Sequence, residues 1–203
     1  MLNVKKVLIA FLVTVIAISS NAFAQNSKQT KKSKQPTLKS RSTPPNAGSA
    51  KTVAYLVSKV RHELVTLPYY NVFDWLEGEV KPDGTVILRG QVVRPTTKSD
   101  AGSRTRDIEG VTRLINQIEV LPLSPFDDRI RLAVYRTLYN FGSPLFRYGT
   151  QPVPPIHIIV RNGHVTLKGI VANEGDRNLA YIKTNTVPGT FEVRNELQVE
   201  AKS

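Results

Sequence analysis

Few residues in this 203-residue chain have the types and spacing that catalysis or metal binding requires. There are three histidines, His62, His157 and His164. None has a second histidine three or four residues away, the spacing that places two imidazoles on one helix face around a metal. Cysteine is absent. That removes disulfides, thiolate catalysis, zinc-thiolate sites and the lipid-modified cysteine of a lipoprotein. Asp127-Asp128 and Glu77 with Glu79 are carboxylate pairs, but a helix cap and a strand face account for them. No serine stands in a nucleophile-elbow context, and no glycine-rich loop has phosphate-cradling spacing. The chain therefore reads as a non-enzyme, with no metal site and no cofactor.

The chemistry that remains is recognition, and two sets of residues carry it. Arg129, Leu132, Tyr135, Arg136 and Tyr139 fall at spacings of three, three, one and three. They share one face of a predicted helix, opposite an apolar stripe of Ile130, Ala133, Val134 and Leu138. Tyrosine and arginine on an exposed helix face suit the boundary between water and lipid head groups. The same tyrosines can instead pack against the first of the chain's two repeated units. The second set is cationic: Lys28, Lys31, Lys32, Lys34, Lys39 and Arg41, with Lys51 beyond. These lie in a polar stretch, residues 25–51, that holds no acidic residue and is too hydrophilic to bury a core, so it reads as a disordered basic linker. The chain carries 28 basic and 16 acidic residues, a net charge of +12, and this linker supplies seven of the cations. Such a segment draws the protein toward anionic head groups or acidic cell-wall polymer, or serves as a solubilising spacer.

The elements that must position these groups occur twice. Gly84-Thr85-Val86-Ile87-Leu88-Arg89-Gly90-Gln91-Val92 is answered 79 residues later by Gly163-His164-Val165-Thr166-Leu167-Lys168-Gly169-Ile170-Val171. Gly110 and Gly189, Asn116 and Asn195, and Val120 and Val199 keep the same offset, as do Ala54 with Ala133 and Tyr69 with Tyr148. A constant offset marks a tandem duplication. Each copy reads as helix, strand, strand, helix, strand. Val53, Leu56, Val57, Val60 and Leu64 form one amphipathic stripe; the second copy's helix starts at Asp127 or Asp128 as its cap. Asp83-Gly84 and Asn162-Gly163 are hairpin turns. In the strand that follows, Val86, Leu88 and Val92 face inward, matched by Val165, Leu167 and Val171, while Arg89 and Lys168 face outward.

Gly90 and Gly169 interrupt the inward series, which predicts a bend or the close approach of a helix backbone. Gly110 and Gly189 end the second helices. The last strand alternates, with Phe191, Val193, Leu197 and Val199 inward. Asn116 and Asn195 fall on that inward face, where an amide must find a hydrogen-bond partner. The expected fold class is α+β: two tandem αββαβ units, each a three-stranded mixed sheet with two helices on one face.

The N-terminus carries an export signal. Lys5 and Lys6 precede an apolar run from Val7 to Ile18, shorter than the ~20 residues a membrane span requires, and Ala22-Phe23-Ala24 gives the small-x-small cleavage pattern. The expected organisation is a signal peptide at 1–24 cleaved after Ala24, the linker at 25–51, and units at 52–124 and 125–203.

The repeated pattern resembles the BON domain. Gly-x-Val-x-Leu-x-Gly-x-Val, a helix, Gly110 or Gly189, and then a strand bearing Asn116 or Asn195 carry the resemblance. The second copy is the better match, with Val187-Pro188-Gly189 where the first has Glu109 in place of proline. The resemblance implies a non-catalytic, exported αββαβ module of the bacterial envelope, associated with phospholipid interaction and osmotic-stress integrity. The expected location is the periplasm. The expected partner is an anionic phospholipid surface; the alternative is a protein-binding adaptor for an envelope complex or channel, its tail on cell-wall polymer. No nucleic acid is expected. The segment from Ser143 to Pro155, rich in proline and aromatic residues, departs from the family pattern.

Overall fold

The computed structural model describes residues 50–201; the expected signal peptide, its cleavage site and the basic residues Lys28 to Arg41 lie outside the described residues. The first unit comprises α1 (Ala50–Val65), β1 (Trp75–Val80), β2 (Thr85–Val92), α2 (Pro95–Arg106), β3 (Arg113–Asn116) and β4 (Glu119–Val120). The second comprises α3 (Pro125–Leu138), a 3-10 helix (Pro144–Thr150), β5 (Ile156–Arg161), β6 (His164–Val171), α4 (Glu174–Asn185) and β7 (Glu192–Val199). This is the α+β, tandem αββαβ architecture that the repeat predicts.

Alternation decides which face of each sheet is covered. β1 runs antiparallel to β2, with Leu76 opposite Gly90, and β3 runs parallel to β2. β5 and β7 flank β6 in the same senses. The inward side chains of the first unit, among them Leu76, Val80, Val86, Leu88 and Val92, close against Leu56 and Val60 of α1 and Ala101 of α2. Ile158, Val160, Val165, Leu167 and Val171 do the same against Ile130, Val134 and Ala180. The last strand of the first unit is broken after Asn116, so β4 pairs with β2 separately and that sheet counts four strands instead of three.

Gly90 and Gly169 both sit at φ +123°, in the region that disfavours side chains. A Cβ there would lie 1.9 Å from the Trp75 carbonyl oxygen and 1.8 Å from that of Pro155. The close neighbour is therefore the chain of the paired hairpin strand, not a helix. The asparagines bind backbone. Asn116 Nδ2 donates to the Lys98 carbonyl at 3.0 Å, and Asn195 Nδ2 to that of Arg177 at 2.9 Å. Their Oδ1 atoms accept from Ile118 N and Leu197 N. Each amide thus ties the last strand to the second helix and satisfies its own part-buried polar groups on backbone partners.

The 79-residue offset does not extend to the first helices. Leu56 lies against Gly110 as Ile130 lies against Gly189, and the buried triads are Leu56, Val60, Leu64 and Ile130, Val134, Leu138. Their offset is 74. Ala54 is accordingly exposed, and Tyr69 is half exposed while Tyr148 is buried. The difference is taken up between α3 and β5, where residues 139–155 stand in place of the shorter 66–74.

The two units are joined through apolar contacts. Val72 enters the second core, and Phe73 meets Tyr135 edge-on at 6.2 Å between ring centroids. Trp75, Leu121 and Ile159 form a small cluster between the sheets. Arg161 pairs with Glu119 at 2.6 Å.

Candidate functional site

The α3 helix is specified locally. Ser124 is its N-cap, its hydroxyl accepting from Asp127 N at 3.1 Å, and Pro125 fills the first helical position, where no N–H is missed. This corrects the expectation that an aspartate caps the helix. Asp127 is buried and turns to the hairpin instead, accepting from Asn162 N at 2.9 Å and Gly163 N at 2.8 Å. Asp128 pairs with Arg131, whose buried guanidinium also donates to the Val160 carbonyl. The helix is thereby bolted to the β5–β6 turn, and its outer face is set relative to that turn.

The five residues expected on this outer face separate. Arg129, Leu132 and Arg136 are exposed. Tyr135 is half-buried, its ring against Phe73 and 5.1 Å from Tyr139. Tyr139 is only 7% exposed and donates its hydroxyl to the Ile156 carbonyl at 2.8 Å. Burial raises its ionisation above the ordinary tyrosine range. The reason is the 3-10 segment, which returns over the end of α3 and places Gly149 on the Tyr139 ring. Ser143 caps that segment, while Leu145 and Tyr148 anchor it in the core.

Other side chains extend the exposed stripe. Phe126 lies one turn before Arg129, whose guanidinium sits 5.8 Å above the phenyl centroid. Phe191 lies 6.1 Å from Phe126 and is 71% exposed, with one side of its ring on Gly163. Leu123, just before the cap, is 94% exposed. Phe191 is the opposite of the sequence expectation, which put it on the inward face. It precedes β7 and belongs to the α4–β7 turn, so strand alternation does not govern it.

The result is an apolar tip of Leu123, Phe126 and Phe191 continued along α3 by Arg129, Leu132 and Arg136. Among the described residues neither Arg129 nor Arg136 has an ion-pair partner, whereas Arg89, Arg104, Arg147, Arg161 and Arg177 each meet a carboxylate. An unpaired cation over an exposed phenyl ring, with a second two turns along the same helix, can meet an anionic, partly apolar surface.

The histidines stand apart. His62 is exposed on α1. His164 is 3.2 Å from Glu192 and stands beside Phe191. His157 is buried between Trp75 and Tyr70, and desolvation lowers its pKa to about 4. Burial likewise pushes the Asp74 carboxyl up, against the pull of the backbone N–H groups of Val93 and Asn71. Among the described residues no group of three or more His, Cys, Asp or Glu is placed to hold a metal. No helix there is long and apolar enough to cross a membrane.

Comparison with known proteins bears on the whole arrangement. The BON domain family model matches residues 54–122 and 145–201. No curated protein sequence matches the chain. Two solved structures of CdsD, a structural protein of the Type III secretion system of Chlamydia trachomatis, are similar at 12% identity with TM-scores of 0.29. One is its C-terminal domain, with 72% of this chain and 98% of that chain covered; the other covers 73% and 94%. Likeness at that level carries no inference about function. The two matched segments fall one on each sheet-and-helix unit, and the chain belongs to the BON domain family of envelope-associated, non-catalytic binding modules.

Proposed function

We propose that the protein is a periplasmic binding module that docks on anionic phospholipid surfaces through the second unit, in support of envelope integrity. The observation that carries this reading is the pairing of exposed apolar side chains with unpaired cations around α3: Leu123 and Phe126 at its start and Phe191 from the α4–β7 turn, with Arg129 over the Phe126 ring and Arg136 two turns further along the helix. A cation near an anionic leaflet is worth about 1 kcal/mol, and burial of a phenylalanine about 2 kcal/mol. Two cations and two or three apolar side chains are enough for reversible docking, and the basic linker adds further attraction. Tyr135 and Tyr139 take no part, since packing occupies them.

Co-sedimentation with vesicles tests the reading. Binding is expected to vesicles containing anionic phospholipid, to weaken as salt screens the charges, and to be absent with neutral vesicles. Equal binding to both vesicle types would contradict it.

One observation favours the adaptor reading as the second choice. Among the described residues β7 pairs with β6 alone and leaves an open sheet edge on which a partner strand can form backbone hydrogen bonds. The charged outward residues Glu192, Arg194 and Glu196 line that strand and oppose indiscriminate pairing.

A further inference from the structure

A cleft of about 350 Å³ opens where the two units meet, and it shares no residue with the α3 stripe. Val65, Tyr70 and Trp75 of the first unit contribute to its wall. Val153, Pro154 and Pro155 come from the connection between α3 and β5, and Ile170, Val171 and Ala172 from the end of β6. The volume lies in the range of small-ligand pockets. A longer connection in the second unit, residues 139–155 against 66–74 in the first, supplies the proline pair. That wall therefore has no counterpart in the other repeat.

The wall chemistry selects against charge. His157 lines the cleft and desolvation keeps its imidazole neutral at pH 7; the Tyr70 phenol is un-ionised there as any tyrosine is, and burial moves its ionisation further from neutrality. Glu200 is the one formally charged lining residue, and it is exposed. A ligand body seated here is apolar and uncharged, and a free carboxylate beside Glu200 is repelled.

We infer that this inter-unit cleft holds a single acyl chain carried by an uncharged head group. The inference rests on the membrane-surface reading, because an acyl chain is the apolar ligand that such a surface offers.

The chain contains one tryptophan, Trp75, and it lines the cleft. Its fluorescence therefore reports occupancy. The probe is a medium-chain monoacylglycerol brominated along its chain, used below its micellar concentration, with the unbrominated compound as reference. Saturable quenching by the brominated probe is expected. Ala172 is exposed and lines the cleft, so Ala172→Phe should fill it, weakening the probe at least tenfold with melting temperature and vesicle binding unchanged. Arg129→Glu with Arg136→Glu should bind the probe as the parent protein does. Quenching that rises without saturation, or that Ala172→Phe leaves intact, would overturn the inference. Saturable, Ala172→Phe-sensitive quenching in a protein that ignores anionic vesicles would uphold the cleft and remove the membrane reading.

Discussion

The backbone N–H of Ile158 donates to the carbonyl oxygen of Val72 at 2.8 Å. This bond lets the connection between α1 and β1 cover the edge of the second sheet, so each unit completes the other. Val72 sits in the second core and Phe73 against Tyr135. A unit of this size buries a modest share of its surface alone, and the shared junction offsets that deficit.

Tyr139 is a core residue, so Tyr139→Ala should cost about 3–5 kcal/mol and remove the hydrogen bond to Ile156. Tyr135→Ala should cost less and loosen the junction with Phe73. Both should leave the vesicle affinity of folded protein unchanged. Urea denaturation, with vesicle binding measured on the same samples, checks the pair. A loss of affinity at full folding would return these tyrosines to the docking surface.

Gly169 tolerates no side chain, because positive φ and the Pro155 carbonyl both exclude one. Gly169→Val should destabilise the protein by about 3 kcal/mol or more. Thr166→Val, on the outer sheet face, should change stability by about 0.5 kcal/mol or less. Similar melting temperatures for the two variants would refute the close approach.

Asn195→Ala should cost about 1–3 kcal/mol, since it strips partners from Arg177 O and Leu197 N. Asn116→Ala should act alike in the first unit. Chemical denaturation of both variants is the check, and neutral substitutions would show that water replaces the amide.

His157 makes stability depend on pH. Its folded pKa, about 4, lies below the unfolded value of 6.5. Its contribution is therefore complete above pH 6.5 and lost as pH falls toward 4, by about 3 kcal/mol in all. Melting temperature should drop across that window, and His157→Phe should flatten the drop. An unchanged slope in the variant would assign the acid sensitivity elsewhere.

How much of this was legible depends on how local the cause is. The strand from Val86 to Val92 and its partner from Val165 to Val171 announce themselves by alternation, because a half-buried strand has period two. Asn116 and Asn195 stand out as polar residues on an inward face. Tyr139 was misleading because helical spacing puts it outside, and the roof over it comes from residues 144–150, which no periodicity predicts. Phe191 was misleading in the opposite sense: alternation was extended one residue past the start of β7. The apolar tip joins Leu123, Phe126 and Phe191 from a linker, a helix start and a turn, so only the fold brings it together.

Co-sedimentation of Arg129→Glu with Arg136→Glu, and of Phe191→Ser, with anionic vesicles tests the central claim most directly, provided each variant melts as the parent does. The double charge reversal is expected to reduce binding at least tenfold, and Phe191→Ser to reduce it severalfold, with the fold intact. Undiminished binding by both folded variants would contradict the claim that this face of the second unit meets the membrane.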